Sequence, residues 1–356
     1  MNQRVEEIHR QSIVVDGHNH IMSELGKRRN RGDRAVFSNY YAPLIRKGGV
    51  NVILLVVGGD NTCLTNDSDL MLWGSLWVMD MLWEEAEESK DTIAICINSK
   101  EIDEAIGAGK IAILLTMEGG RPLEGKPNCE TLVGLRTFYR QGLRGIQLVD
   151  NGRNRLGDGK GETRTQGRLT NFGLSVVKEA NRLGMLVDVA HLTEPGFWDV
   201  IETSQAPIID SHSNARAVCD HPRNLTDEQI RAIAKGGGVI GMTTNAAMTS
   251  KEIDKPTVDH LIKHIDHIAG LVGIDHVGLG PDHLEFELEV NLWAPAPGWL
   301  EGLYYGTKDT YYIQNLKSIT GLPLITEALV NRGYSNDDIK KVLGGNWLRV
   351  YGQVIG

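Results

Sequence analysis

Cysteine is scarce in this chain and scattered. Cys63, Cys96, Cys129 and Cys219 are the only four among 356 residues, and no two form a C-x-x-C pair. Such spacing excludes a disulfide framework and a zinc knuckle, leaving reduced, mostly buried thiols. Basic charge is short too: 37 Lys and Arg stand against 46 Asp and Glu, a formal charge of −9 with a pI near 5.7. That balance argues against a nucleic-acid or membrane-surface partner. Long apolar runs are missing. The longest, such as VNVILLVV at 50–57, are too short to cross a bilayer. The opening MNQRVEEIHRQS is polar and of mixed charge, unlike a secretory leader. A cytoplasmic protein acting on a small molecule is the expectation. Neither G-x-G-x-x-G nor G-x-x-x-x-G-K-[ST] follows an apolar run, which counts against a nucleotide-binding open sheet.

What remains is ordinary globular composition, 41% hydrophobic and 23% charged. Short β-rich runs recur: SIVV (12–15), VNVILLVV (50–57), IAILLT (111–116), LRGIQLV (143–149), MLVDVA (185–190), PIID (207–210), GVIGMT (238–243) and HVGLG (276–280). Their near-continuous hydrophobicity suits parallel strands covered on both faces. Helical patterns lie between them at Asp69–Glu88, Glu130–Tyr139, Asn171–Leu183, Asp227–Lys235 and Pro256–Leu271. Strand–helix alternation repeated eight times predicts a (β/α)8 TIM-type barrel, with residues 1–356 as a single domain. A ninth run, TIAICI (92–97), falls outside the count and reads as an accessory strand.

Polar residues gather where these strands end. The first gives His18 and His20 in VVDGHNH, the third Glu118 in TMEGG, the fifth His191 in DVAH, the sixth His212 in IDSHS and the eighth Asp282 in GLGPDH. Residues i and i+2 of a strand share a face, so His18 and His20 can point together into one cavity. Alone, each has an ordinary explanation as a loop or core residue. Together they sit at the ends that converge on the mouth of a barrel, where active sites lie. Imidazoles and carboxylates meeting there are metal ligands by chemistry. Four imidazoles and two carboxylates suit two divalent ions, most simply Zn2+, with Glu118 between them. Such a pair lowers the pKa of a bound water and polarises a carbonyl, so the reaction class is hydrolysis. By contrast His260, His264 and His267 are spaced like one solvated helix face and are assigned no role.

These residues carry a resemblance to the renal (membrane) dipeptidase family of zinc hydrolases, within the amidohydrolase-type barrels. VVDGHNH is similar to the family's opening D-G-H-N-D, and GKIAILLTMEGG to its bridging-glutamate strand. LVDVAH and PIIDSHSNARAVCDHPRNLTDEQI resemble its two histidine strands and the arginine segment, and VNRGYSNDDIKKVLGGNWLRVYGQV its closing helices. The resemblance implies that His18, the position of His20, Glu118, His191 and His212 are zinc ligands, with Glu118 shared. It implies that Asp282 contacts the metal-bound water and shuttles its proton, that Arg223 holds the free carboxylate of a dipeptide, and that the protein is a homodimer. A guanidinium grips a carboxylate bidentately, in keeping with that role.

Two departures stand out. His20 replaces the family's Asp, which makes the site one unit more positive. Asp150, in RGIQLVDNGRN, stands where the family usually has a histidine that donates to the substrate oxyanion, a charge an ionised Asp would repel. Either Asn151 or Arg153 takes over that contact, or the substrate is not an ordinary dipeptide. The leading expectation is therefore cleavage of an amide bond in a dipeptide or a related carboxylate-bearing molecule. The alternative on the same barrel is an amidase, deaminase or lactonase acting on a non-peptide metabolite. Retention of Glu118 and Asp282 argues against a binding protein that has lost catalysis. The aromatic, Pro-punctuated segment 284–312 reads equally as a lid or dimer arm and as a surface excursion. The apolar helix at 70–83 is too hydrophobic for a solvated surface and is expected to pack into the core or a subunit interface.

Overall fold

The computed structural model describes residues 3–60, 71–124, 131–251, 256–283 and 311–356. Expectations about 284–310, and about the first residue of the apolar helix, lie outside those residues. The strands are β1 (Val14–Asn19), β2 (Val50–Gly59), β3 (Ile93–Ile95), β4 (Ile111–Glu118), β5 (Leu143–Gln147), β6 (Leu186–Asp188), β7 (Ile209–Asp210), β8 (Val239–Met242) and β9 (Val277–Leu279). All eight expected runs are among them. They pair in parallel in the order β1-β2-β4-β5-β6-β7-β8-β9. A parallel bridge between Asn19 and His283 spans the seam, so the sheet closes nearly completely into a (β/α)8 barrel. The accessory run becomes β3, which pairs with Ile111–Ile113 of β4. It occupies an edge that β5 leaves free, because pairing of β5 with β4 starts only at Leu115.

Alternation along the strands divides the core in two. Val15, Val52, Leu54, Ala112, Leu114, Leu186, Ile209 and Val239 form the cluster inside the barrel, and their sequence neighbours pack under the helices. Trp347 and Tyr351, on the C-terminal helix Asn346–Val354, join the inner cluster. The indole N–H donates to Leu279 O at 3.0 Å. A Cβ at Gly17 or Gly278 would meet that indole at 2.3 and 2.4 Å, so both positions need a residue without one. Trp347 fills the space beside Gly17.

Local chemistry explains the helix ends. Thr170 accepts from Gly173 N at the start of Asn171–Leu183, and Gly184 ends it at φ 70°. Thr226 and Gln229 form a capping box on Asp227–Lys235. The apolar helix, Met71–Glu88, buries Val78, Met79 and Leu82 but leaves Trp73 69% and Trp77 45% exposed, so only one face meets the core. No helix of the described residues is long and apolar enough to cross a membrane. The histidines of Val258–Val272 do not form a solvated face. His264 is fully buried, takes Ala215 N at Nδ1 and donates from Nε2 to Thr249 O, and burial pushes it down to about 4. Those partners come from other loops, which helical spacing does not register.

Candidate metal centre

Alternation along β4 sets Glu118 on the face of Ala112 and Leu114, pointing into the barrel where the strand ends. His18 comes from β1, with His20 just past its end, and His191, His212 and Asp282 follow β6, β7 and β9. His191 and Asp282 hold φ of 68° and 60°, left-handed backbone that non-glycine residues adopt at a cost of about 1–3 kcal/mol.

All six strand-end residues meet at the mouth of the barrel. Glu118 Oε1 lies 3.4 Å from His18 Nε2, 3.4 Å from His191 Nε2 and 3.9 Å from His212 Nε2, and its Oε2 lies 3.3 Å from His20 Nε2. His18 and His20 approach through their Nε2 atoms at 3.0 Å, and His191 and His212 do so at 2.8 Å. Two triads result, His18–His20–Glu118 and Glu118–His191–His212, each with ligand atoms within 4.8 Å of one another. Glu118 is the member they share. Asp282 belongs to neither triad; its Oδ1 is 3.4 Å from His20 Nε2.

The electrostatics suit a cation between these atoms. Burial pushes the Glu118 carboxyl up, but His20, His18 and His191 outweigh it and hold it well below the ordinary range. His18 loses to burial and gains more from Glu118, reaching about 9, whereas burial takes His20 down to about 4. Burial also holds His191 and His212 well below 6.5. A protonated His18 and the neutral His20, His191 and His212 thus crowd their Nε2 atoms around an ionised carboxylate, and a bound cation would take the place of the His18 proton. The donor set fits two divalent ions. Burial, reinforced by Glu118, lifts Asp282 to about 7.

The four residues assigned to substrate part company. Arg223 is 4% exposed, with NH2 2.8 Å from His212 Nε2, and among the described residues no carboxylate lies within ion-pair distance of it. Lys160, its backbone N on His191 O at 2.8 Å, is pushed down to about 8 by burial and by the charges of Arg216 and Arg223. Asp150 and Asn151 stand behind His191: its Nδ1 is 3.1 Å from Asp150 Oδ1 and 3.0 Å from Asn151 Oδ1, and Asn151 Nδ2 donates to Asp150 at 2.6 Å. Arg153 does not join them. It pairs with Asp158 and Thr165 and has a half-exposed side chain, because Asp158 supplies the carboxylate that Asp150 does not.

Asp60 was not anticipated. It accepts from Arg121 N, Asp150 N and Asn154 Nδ2 and so ties together the loops after β2, β4 and β5, with burial raising it to about 6. Nothing in its local sequence marks it.

Residues 2–291 and 302–355 match the membrane dipeptidase family, peptidase family M19. The chain belongs to that family. A Klebsiella pneumoniae relative, described as an uncharacterized protein in the pqqA 5′ region, is 31% identical over 288 residues, 76% of this chain and 95% of that one. Dipeptidase verJ of Clonostachys rogersoniana is 30% identical over 277 residues, 78% of this chain and 64% of its own length. A Rhodobacter sphaeroides metallo peptidase, solved with a phosphinate mimic of the dipeptide L-Ala-D-Ala, superposes with a TM-score of 0.80 at 22% identity. That superposition covers 97% of this chain and 100% of the other, and shows the common barrel. Membership makes this family member a metal-dependent hydrolase of the dipeptidase kind.

Proposed function

We propose that the protein is a two-zinc hydrolase that cleaves the amide bond of a dipeptide or a related small molecule bearing a free carboxylate. One observation carries this reading: Glu118 is common to two imidazole pairs, as a bridging carboxylate must be. His18 and His20 would hold one ion, His191 and His212 the other, and Glu118 both. When bound, the ions would polarise the scissile carbonyl and lower the pKa of the attacking water. Asp282, near neutrality and beside His20, accepts the proton released by that water and returns it to the leaving amine. Arg223, buried and without a carboxylate of its own among the described residues, takes the substrate carboxylate, and Lys160 adds positive potential nearby. The R. sphaeroides neighbour's dipeptide mimic supports the substrate class by analogy.

A second reading rests on Asp150. Asp150 beside His191, its carboxyl pushed well above the ordinary range by burial and by Glu118 and Asp60, is held ionised best by a cationic group, which favours a substrate carrying one near the scissile bond and includes non-peptide amides. The reading also takes the working form to be a cytoplasmic homodimer, with the exposed Trp73 and Trp77 face as the surface to test by light scattering of a double Ser variant. Metal analysis with a substrate panel separates the alternatives. Two ions with turnover of neutral dipeptides supports the first reading, two ions with turnover only of cationic or non-peptide amides the second, and absence of metal refutes both.

A further inference from the structure

Ser211 precedes His212 at the end of β7 and is fully buried. Its Oγ lies 2.7 Å from His212 Nδ1 and 3.2 Å from His18 Nδ1. The two imidazoles stack against each other, with ring centroids 3.9 Å apart and planes inclined by 32°. One hydroxyl therefore supports one histidine from each triad. The same residue meets Asp188, whose Oδ1 accepts Ser211 N at 3.0 Å. Asp188 is held in turn by Ala190 N at 3.0 Å and is 1% exposed.

Proton counting decides what this network does. A serine hydroxyl has one hydrogen and two lone pairs. With both rings turned to the centre, the hydrogen needs a third acceptor, and the Asp188 carboxylate beside Ser211 supplies it. Both contacts to imidazole must then be donated by the rings, from Nδ1–H into the two lone pairs of Oγ. A neutral imidazole protonated at Nδ1 carries its lone pair on Nε2, the atom that faces Glu118 and the other histidines. If the hydroxyl instead donated to either Nδ1, that ring's proton would move to Nε2 and the ligand would be lost.

We propose that Ser211, oriented by Asp188, is a shared positioning residue that fixes His18 and His212 with Nε2 toward the centre, and so couples the two metal sites through one hydroxyl. This rests on the two-metal reading above. Residues behind a metal-bound histidine set both its tautomer and its orientation, and their loss commonly lowers metal affinity 10- to 100-fold. Asn151 and Asp150 stand behind His191 alone. Ser211 stands behind a ligand of each pair.

The test is zinc affinity of the full-length protein by chelator competition, for the parent and for Ser211→Ala and Asp188→Asn. The parent should bind two zinc ions. Ser211→Ala should weaken both by roughly 10- to 100-fold, while the melting temperature of the metal-free protein stays within about 2 °C. Asp188→Asn keeps an acceptor for the two backbone N–H groups but presents an amide to Oγ, turning the hydroxyl toward an imidazole; it should weaken binding as well. Histidine 15N spectra of the zinc-loaded parent should show Nδ1–H at both His18 and His212, a readout that needs no variant to fold. Parent-like affinity in either variant, weakening at one site only in Ser211→Ala, or Nε2–H at either histidine overturns the proposal. A parent that binds no zinc overturns the metal reading itself.

Discussion

Replacing Arg223 by Met tests the carboxylate assignment most directly. The guanidinium is 4% exposed and, among the described residues, its side chain meets only His212 Nε2, at 2.8 Å. Charge held that far from water with no counterion is unfavourable until an anion arrives. A buried charged hydrogen bond is worth about 1.5–3 kcal/mol, and roughly 1.4 kcal/mol makes a factor of ten. Arg223→Met should therefore lower kcat/KM by roughly 10- to 150-fold on a dipeptide with a free C-terminus. The matched C-terminal amide should lose less than about threefold, since it offers no charge to grip. Stability should move the other way: with an uncompensated buried charge gone, the melting temperature should hold or rise. Burial is the larger cause of the low His191 and His212 values and the charge of Arg223 the next or a lesser one, so both imidazoles should stay below their ordinary value in the variant. Steady-state kinetics on the acid and amide pair, with thermal melts, checks all of this. Equal loss on both substrates, or a marked fall in melting temperature, would show that Arg223 supports the loop rather than the substrate.

Glu118→Gln should deplete both metals, because one carboxylate faces all four imidazoles; metal analysis showing two ions retained would refute the bridge. Asp282→Asn should keep metal better than Glu118→Gln yet lose most turnover, since an amide cannot take the water's proton, and parallel measurement of kcat and metal content checks it. Asp150→His should shift preference from cationic toward plain dipeptides, and an unchanged ratio of kcat/KM on matched substrates would leave Asp150 with only its contact to His191. The metal-free protein should lose stability as pH rises from 7.5 to 9, above the range in which His20, His191, His212 and His264, held neutral, act the other way. His18, raised to about 9, contributes stability that is full below 6.5 and is lost toward 9; Asp210 and Asp282, raised to about 7, stay protonated in the fold where the unfolded chain ionises, and act in the same direction at lower pH. Melting in chelator should fall across that window, while zinc affinity rises across it as the His18 proton becomes easier to displace.

Hydrophobic runs and caps are local properties, and they are legible one stretch at a time. All eight barrel strands, and the ends of Asn171–Leu183 and Asp227–Lys235, follow from apolar continuity and from Thr170, Gly184, Thr226 and Gln229. Six strand-end residues could be named as neighbours because parallel strands in a barrel deliver their C-terminal ends to one mouth, whatever the loops do. Which atom of each would face inward could not be read that way. An imidazole's working nitrogen is chosen by whatever holds the other one, and for His18 that is Ser211, 193 positions away. The same dependence on distant partners sends Arg153 to Asp158, buries His264 against Ala215 and Thr249, and gives the space beside Gly17 to Trp347. Periodicity in sequence determined which face each residue takes; only the closed barrel, by bringing remote donors and acceptors within about 3 Å, decided what each residue does there.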